Sequence, residues 1–206
     1  MRAAPLILGV LASGRGSNLQ AILDAIDAGR CPARVAVVVS DRKDAAALDR
    51  ARRTGIRAVH VDPQAHPDRV AFDDAIARAL DEHAVELVCL AGYMRLLSPG
   101  FVRRYPGRIL NVHPALLPAF PGLRAQRQAL EAGVRVAGAT VHLVDEGVDT
   151  GPIVLQAAVP VLGSDTEETL SARILAEEHR LYPEAIRLFA EGRIEVSGRQ
   201  VVVKEA

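Results

Sequence analysis

Leu6-Ile7-Leu8-Gly9-Val10-Leu11 runs directly into Ala12-Ser13-Gly14-Arg15-Gly16-Ser17-Asn18, and that into Leu19-Gln20-Ala21-Ile22-Leu23-Asp24-Ala25-Ile26. The first block is a short unbroken apolar run, as in a strand covered on both faces. The last places its apolar residues at helical spacing and stops at Gly29. A strand, a glycine-rich turn and a helix open an α/β fold. The alternation continues outward. Val35–Val39, Ala58–Val61, Leu87–Ala91 and Ile109–Val112 read as strands, with helices over Asp44–Arg53 and Asp68–His83 between them. Right-handed crossovers are expected. After residue 123 the pattern changes: a helix over Ala125–Glu131, then strands Ala139–Val144 and Ile153–Val161 with no crossover helix between, hence an antiparallel pair. Ser164-Asp165-Thr166-Glu167 has the Ser-x-x-Glu capping pattern and opens a long helix to about Ala190, which Pro183 is expected to break or kink. Val201–Val203 reads as a terminal strand.

Composition narrows the function. Of 206 residues, 25 are Lys or Arg and 25 Asp or Glu, so the formal net charge is zero. A nucleic-acid binder carries a basic surplus, and aromatics at 3% with no Trp argue against base-stacking platforms. No apolar run reaches the roughly 18–20 residues that span a bilayer. Nucleic acid and membrane are therefore not expected partners. Arg2 followed by Pro5–Ala12 imitates a signal peptide, but the run is short and enters the glycine turn, so a buried first strand and a cytoplasmic location are expected. Cys31 and Cys89 make no disulfide framework and read as inert thiols. Charge is uneven. Residues 87–130 hold six arginines and no acid; residues 145–178 hold eight acids and one base, Arg173. That is either solvated surface or a cleft with one basic and one acidic wall.

Three segments carry chemistry. In Ser13–Asn18, glycines permit positive φ and close ligand approach, and the helix start offers free N–H groups to an anion. Gly14 and Gly16 match the first two positions of G-x-G-x-x-G, but Leu19 fills the third, so a monophosphate fits better than a dinucleotide; a bare turn without ligand is the other reading. In Ile109-Leu110-Asn111-Val112-His113-Pro114, Asn111 and His113 point to one face of a strand and Pro114 keeps His113 extended. An amide beside an imidazole at the carboxyl end of a parallel strand suits stabilisation of an oxyanion. Asp145-Glu146-Gly147-Val148-Asp149-Thr150-Gly151-Pro152 could hold the Asp149 carboxylate near His113. His113, His142 and Asp149 are the candidate metal set, though their spacing matches no strong zinc pattern and no metal is expected.

Together Ser13–Asn18, Leu90-Ala-Gly-Tyr-Met-Arg95, Leu110–Pro114 with Leu116-Leu117-Pro118, and Val148–Pro152 resemble the phosphoribosylglycinamide formyltransferase family, in family order and along nearly the whole chain. The resemblance implies a single Rossmann-like formyltransferase domain over 1–206, with a phosphate-binding half to about residue 110 and a folate-binding, catalytic half beyond it. It implies transfer of formyl from 10-formyltetrahydrofolate, a cosubstrate, to the amine of glycinamide ribonucleotide. It assigns Asn111, His113 and Asp149 to catalysis; Gly16, Ser17, Asn18 and Glu178 to the ribonucleotide; and Arg69, Met94, Arg95, Leu96, Leu97, Val144, Asp145 and Asn111 to the folate. Where many members have His after Pro-Gly-Leu, this chain has Arg124, which puts that residue's loop role in doubt. A formyltetrahydrofolate hydrolase shares the Asn-His-Asp set but carries an added N-terminal domain, not expected with strand one at about residue 5. A nucleotide-binding regulatory module would need none of that set. A monomer or weak homodimer is expected.

Overall fold

The computed structural model describes residues 4–205, so Arg2 and the extreme ends of the 1–206 span lie outside it. Strands β1 (Leu6–Leu11), β2 (Ala33–Ser40), β3 (Arg57–His60), β4 (Leu87–Leu90), β5 (Ile109–His113), β6 (Val136–Leu143) and β7 (Ile153–Pro160) form one sheet in the order β3-β2-β1-β4-β5-β6-β7. The first five are parallel; β6 runs antiparallel to β5, and β7 antiparallel to β6. The chain moves outward from β1 to β3, then returns to the other side of β1 for β4. That reversal opens a crevice at the carboxyl ends of β1 and β4, where open α/β sheets bind ligands.

Strand parity divides the core. Leu8, Val10, Val38, Cys89, Leu110 and Val112 pack with α1 (Ser17–Asp27), α2 (Ala46–Arg53), α5 (Ala125–Glu131) and α6 (Glu167–Ala190). Leu11, Val37, Val39, Val88, Leu90 and Ile109 pack on the other face with α3 (Arg69–Asp81) and α4 (Pro99–Arg104). Asn111 and His113 share the face of Ile109, beyond the reach of the six-residue α4.

The α/β fold, the mixed sheet and the long final helix agree with the sequence reading. Two details do not. The cap of α6 is Thr166, not Ser164. Thr166 Oγ1 accepts from Thr169 N, and Thr169 Oγ1 accepts from Thr166 N, because Asp165 closes the preceding turn through Leu162 N and Arg173. Pro183 does not break α6. A proline inside a helix costs about 3 kcal/mol, but here Leu181, Tyr182, Pro183, Ala185 and Ile186 are all buried against the sheet, and that burial outweighs it. The expected strand at Val201–Val203 is present as β9 (Gln200–Val203), and it pairs with an unforeseen β8 (Ile194–Ser197) in a hairpin separate from the main sheet. The reading also missed α4, whose six residues begin at Pro99 behind the Ser98 cap. Both cysteines are buried free thiols, and burial pushes the Cys31 thiol up to about 11. No helix among the described residues is long and apolar enough to cross a membrane.

Candidate active site

The phosphate turn leaves β1 and enters α1 through Gly16, whose φ of +71° is left-handed. A Cβ there would stand 2.9 Å from Ala47 Cα, so glycine serves both the turn and the close approach of α2. No side chain caps α1, so the N–H groups of its first turn remain for a ligand. Arg50 steadies the turn by donating to Arg15 O (2.9 Å) and Gln20 Oε1 (2.9 Å). The turn is also stitched to the segment after β4: Ser13 N donates to Gly92 O (3.1 Å) and Met94 N to Ser13 Oγ (2.9 Å).

Glu178, on α6, meets this turn from 160 residues away. Asn18 Nδ2 donates to Glu178 Oε2 at 2.8 Å, with both side chains buried. Burial raises the Glu178 carboxyl and the Asn18 bond lowers it; the balance lies above the ordinary carboxylate range. A carboxyl with a raised folded pKa contributes stability at acid pH that is lost as pH rises through that pKa. Glu178→Gln keeps an acceptor for Asn18 and removes the buried charge. It is therefore expected to raise Tm near pH 7, with the gain shrinking in acid where the wild-type carboxyl is itself protonated. Thermal melts of both proteins across pH check this; a glutamine variant that melts lower at neutral pH contradicts it.

Met94 and Leu96 are exposed at the crevice, at 65% and 58%, Arg95 stacks 5.1 Å above the Phe72 ring, and Leu97 is half-buried. Val144 is held by its N–H to Ile109 O (2.9 Å). The Asp145 carboxylate is already engaged, accepting from Gly147 N (3.0 Å) and Thr150 Oγ1 (2.6 Å), so it shapes the loop. Arg69, at the start of α3, is exposed and makes no hydrogen bond or ion pair with these residues. Arg124 is exposed, at φ +57°.

The loop after β6 folds back over the sheet face and delivers Asp149 to the two side chains on β5. Asp149 Oδ2 lies 3.3 Å from His113 Nδ1 and accepts from Gly122 N at 2.8 Å; Asp149 Oδ1 lies 3.5 Å from Asn111 Nδ2. His113 Nε2 is 2.8 Å from Phe120 O. Both His113 nitrogens thus face oxygen acceptors, an arrangement that suits the doubly protonated imidazolium. Burial raises the Asp149 carboxyl, but the polar groups around it, the Gly122 N–H among them, outweigh it, and the group is held below the usual carboxylate range. Below, Thr140 Oγ1 donates to Ala115 O (2.6 Å) and accepts from Leu117 N (3.0 Å), anchoring the 114–118 segment that follows His113.

His142 completes the cluster, with Nε2 3.1 Å from Asn111 Nδ2 and 3.6 Å from Asp149 Oδ1. The sequence reading named it only as a metal candidate. Its position follows from the antiparallel register, which pairs it with Asn111. Two surface pairs join the charged stretches: Arg103 with Glu146 (2.8 Å) and Arg127 with Glu167 (3.0 Å).

A profile of the formyl transferase family matches residues 7–186. The chain belongs to the formyl transferase family. Its relatives include the phosphoribosylglycinamide formyltransferase of Escherichia coli K12, 46% identical over 187 residues that make up 91% of this chain and 88% of the relative. The trifunctional purine biosynthetic protein adenosine-3 of Drosophila pseudoobscura pseudoobscura is 49% identical over 189 residues, 91% of this chain but only 14% of that protein. Among solved structures of formyl transferases, glycinamide ribonucleotide transformylase 1 from Symbiobacterium toebii superposes with a TM-score of 0.97 at 63% identity, covering 99% of this chain and 96% of that one. A formyltetrahydrofolate deformylase from Pseudomonas syringae pv. tomato superposes at 0.91 with 28% identity, covering 98% of this chain and 67% of that one.

Proposed function

We propose that the chain transfers the formyl group of 10-formyltetrahydrofolate to the amino group of glycinamide ribonucleotide, giving formylglycinamide ribonucleotide and tetrahydrofolate in purine biosynthesis. The observation that carries this reading is the end-to-end match with the Escherichia coli phosphoribosylglycinamide formyltransferase, 91% of one chain on 88% of the other.

In this reading the ribonucleotide phosphate lies on the N–H groups at Gly16, Ser17 and Asn18, and Glu178 meets the ribose hydroxyls. The folate ring lies against Met94–Leu97, closed over by Val144 and Asp145, and Arg69 meets its acidic tail. The ribonucleotide site would therefore draw Glu178 from beyond residue 110, and the folate site would draw Arg69 and Met94–Leu97 from before it. The amine attacks the formyl carbon, and the carbonyl oxygen becomes an oxyanion. That oxygen takes the place of Phe120 O as acceptor of the His113 Nε2–H, with the Asn111 amide as second donor. Asp149 keeps His113 charged and orients a water that carries the proton from the attacking amine to the departing folate nitrogen. The C–N bond to folate breaks as the new amide forms. No covalent enzyme intermediate and no metal are required. We place the reaction in the cytoplasm, in a monomer or weak homodimer, for which apparent mass against concentration is the test.

The Pseudomonas syringae deformylase likeness favours one other reading, hydrolysis of the formyl folate by water. The deciding assay supplies 10-formyltetrahydrofolate with and without glycinamide ribonucleotide. Transfer predicts folate release that depends on the amine; release at the same rate without it overturns transfer in favour of hydrolysis.

A further inference from the structure

We propose that His142 is a positioning residue: held as the neutral tautomer protonated at Nδ1, it fixes the orientation of the Asn111 carboxamide. The kinetic consequence rests on the formyl-transfer reading; the tautomer itself does not.

His142 is 2% exposed, and its pairing opposite Asn111 in the β5–β6 ladder brings it to the cluster. Its Nδ1 lies 2.9 Å from Leu143 O. A carbonyl oxygen can only accept, so Nδ1 carries the proton. Its Nε2 lies 3.1 Å from Asn111 Nδ2, and an amide nitrogen can only donate, so Nε2 offers its lone pair. A second proton on this ring would set N–H against N–H across that contact. At 3.6 Å, Asp149 Oδ1 is too far to accept a hydrogen bond from that proton. Two imidazoles flank one carboxylate, but only His113 has acceptors at both nitrogens. The geometry thus gives His113 a place for two ring protons and His142 a place for one, and Gly122 N–H and His113 are the donors that face Asp149.

The consequence concerns Asn111. A carboxamide turned by 180° has nearly the same shape, so packing alone does not choose between its two orientations. Asp149 accepts from Asn111 only at 3.5 Å, the limit of a hydrogen bond. The shorter bond to His142 decides, turning Nδ2 toward the cluster. It uses one N–H and leaves the second, loosely held by Asp149, for a developing oxyanion. Without the lone pair of His142 the amide is free to turn its oxygen toward the oxyanion, replacing a donor with a repelling acceptor.

Two substitutions separate the roles of the ring nitrogens. His142→Gln sets an oxygen acceptor near the place of Nε2. His142→Asn supplies an N–H near the place of Nδ1 for Leu143 O and nothing at Nε2. The expected result is a kcat about 10-fold lower for His142→Asn, with both KM values little changed, and a kcat within about 3-fold of wild type for His142→Gln. Melting temperatures confirm that each variant is folded. His142→Asn turning over like wild type, or His142→Gln no better than a folded His142→Asn, overturns the proposal. If either variant fails to fold, the ¹⁵N spectrum of the wild-type imidazoles decides. At neutral pH His142 must show a protonated Nδ1 and a bare Nε2, and an imidazolium or a protonated Nε2 sinks the idea. Wild-type protein that formylates no amine refutes the transfer reading instead, and leaves the spectrum to judge the tautomer.

Discussion

His113→Ala is expected to lower turnover by about 10²–10³-fold, the usual cost of removing a preorganised oxyanion donor. The side chain is 4% exposed, and its partners are one backbone carbonyl and one carboxylate, so little of the core leans on it. The variant should fold with a near wild-type melting point and bind both substrates with modest change in KM. Asp149→Asn tests the same site from the other side. Asn tolerates the left-handed backbone at φ +54° as Asp does, and it still accepts from Gly122 N. It removes only the charge, so the charge pairing with His113 is lost and turnover is expected to fall by about 10²-fold or more. Steady-state rates with saturating formyl folate and ribonucleotide are the measurement; near-normal turnover in either variant removes that residue from the chemistry. The pH dependence has a definite sign. The Asp149 carboxyl is depressed in the fold, so its contribution to stability is present above its unfolded pKa, near 3.8, and is lost as pH falls through the lower folded value. Across the neutral range Asp149 stays charged.

The second large effect is on stability. Tyr182 is fully buried on α6, and its hydroxyl reaches Leu90 O at 3.0 Å and Leu110 O at 2.9 Å, bridging β4 and β5 one residue short of Asn111. Truncating a large buried aromatic costs about 3–5 kcal/mol. At roughly 2–4 °C per kcal/mol for a chain of this size, Tyr182→Ala should melt on the order of 10 °C below wild type. Tyr182→Phe keeps the ring and strands two carbonyls, so a smaller loss of about 1–3 kcal/mol is expected. Calorimetry on both variants checks the order. If Tyr182→Phe costs as much as Tyr182→Ala, the hydroxyl bridge and not the packing dominates; if neither shifts the melt, α6 does not anchor the sheet as described.

Much of this was legible in the residues. The unbroken apolar run of β1, the glycines behind it and the helical spacing after it are local signals, and they placed the first βα unit correctly. Strand parity put Asn111 and His113 on one face, because a period of two needs no knowledge of the rest of the chain. What failed was what depends on distant contacts. His142 joins Asn111 only through the register of β6 on β5, a long-range pairing that no local pattern marks. Thr166 displaces Ser164 as the cap because Arg173, two turns into α6, holds Asp165. Pro183 sits within an unbroken helix because the sheet beneath α6 pays for it. The 194–203 hairpin was half-seen, since β8 is only four residues long.

The stitch between Ser13 and the 92–94 segment has a consequence for how two substrates meet. The turn after β1 and the loop after β4 hang from neighbouring strands, whose spacing of about 4.8 Å is set by the hydrogen-bond ladder. The backbone therefore works as a fixed ruler. If the proposed sites hold, one reactant would be gripped at one graduation and the other at the next, their approach set by the folding of the sheet rather than found by diffusion in each encounter.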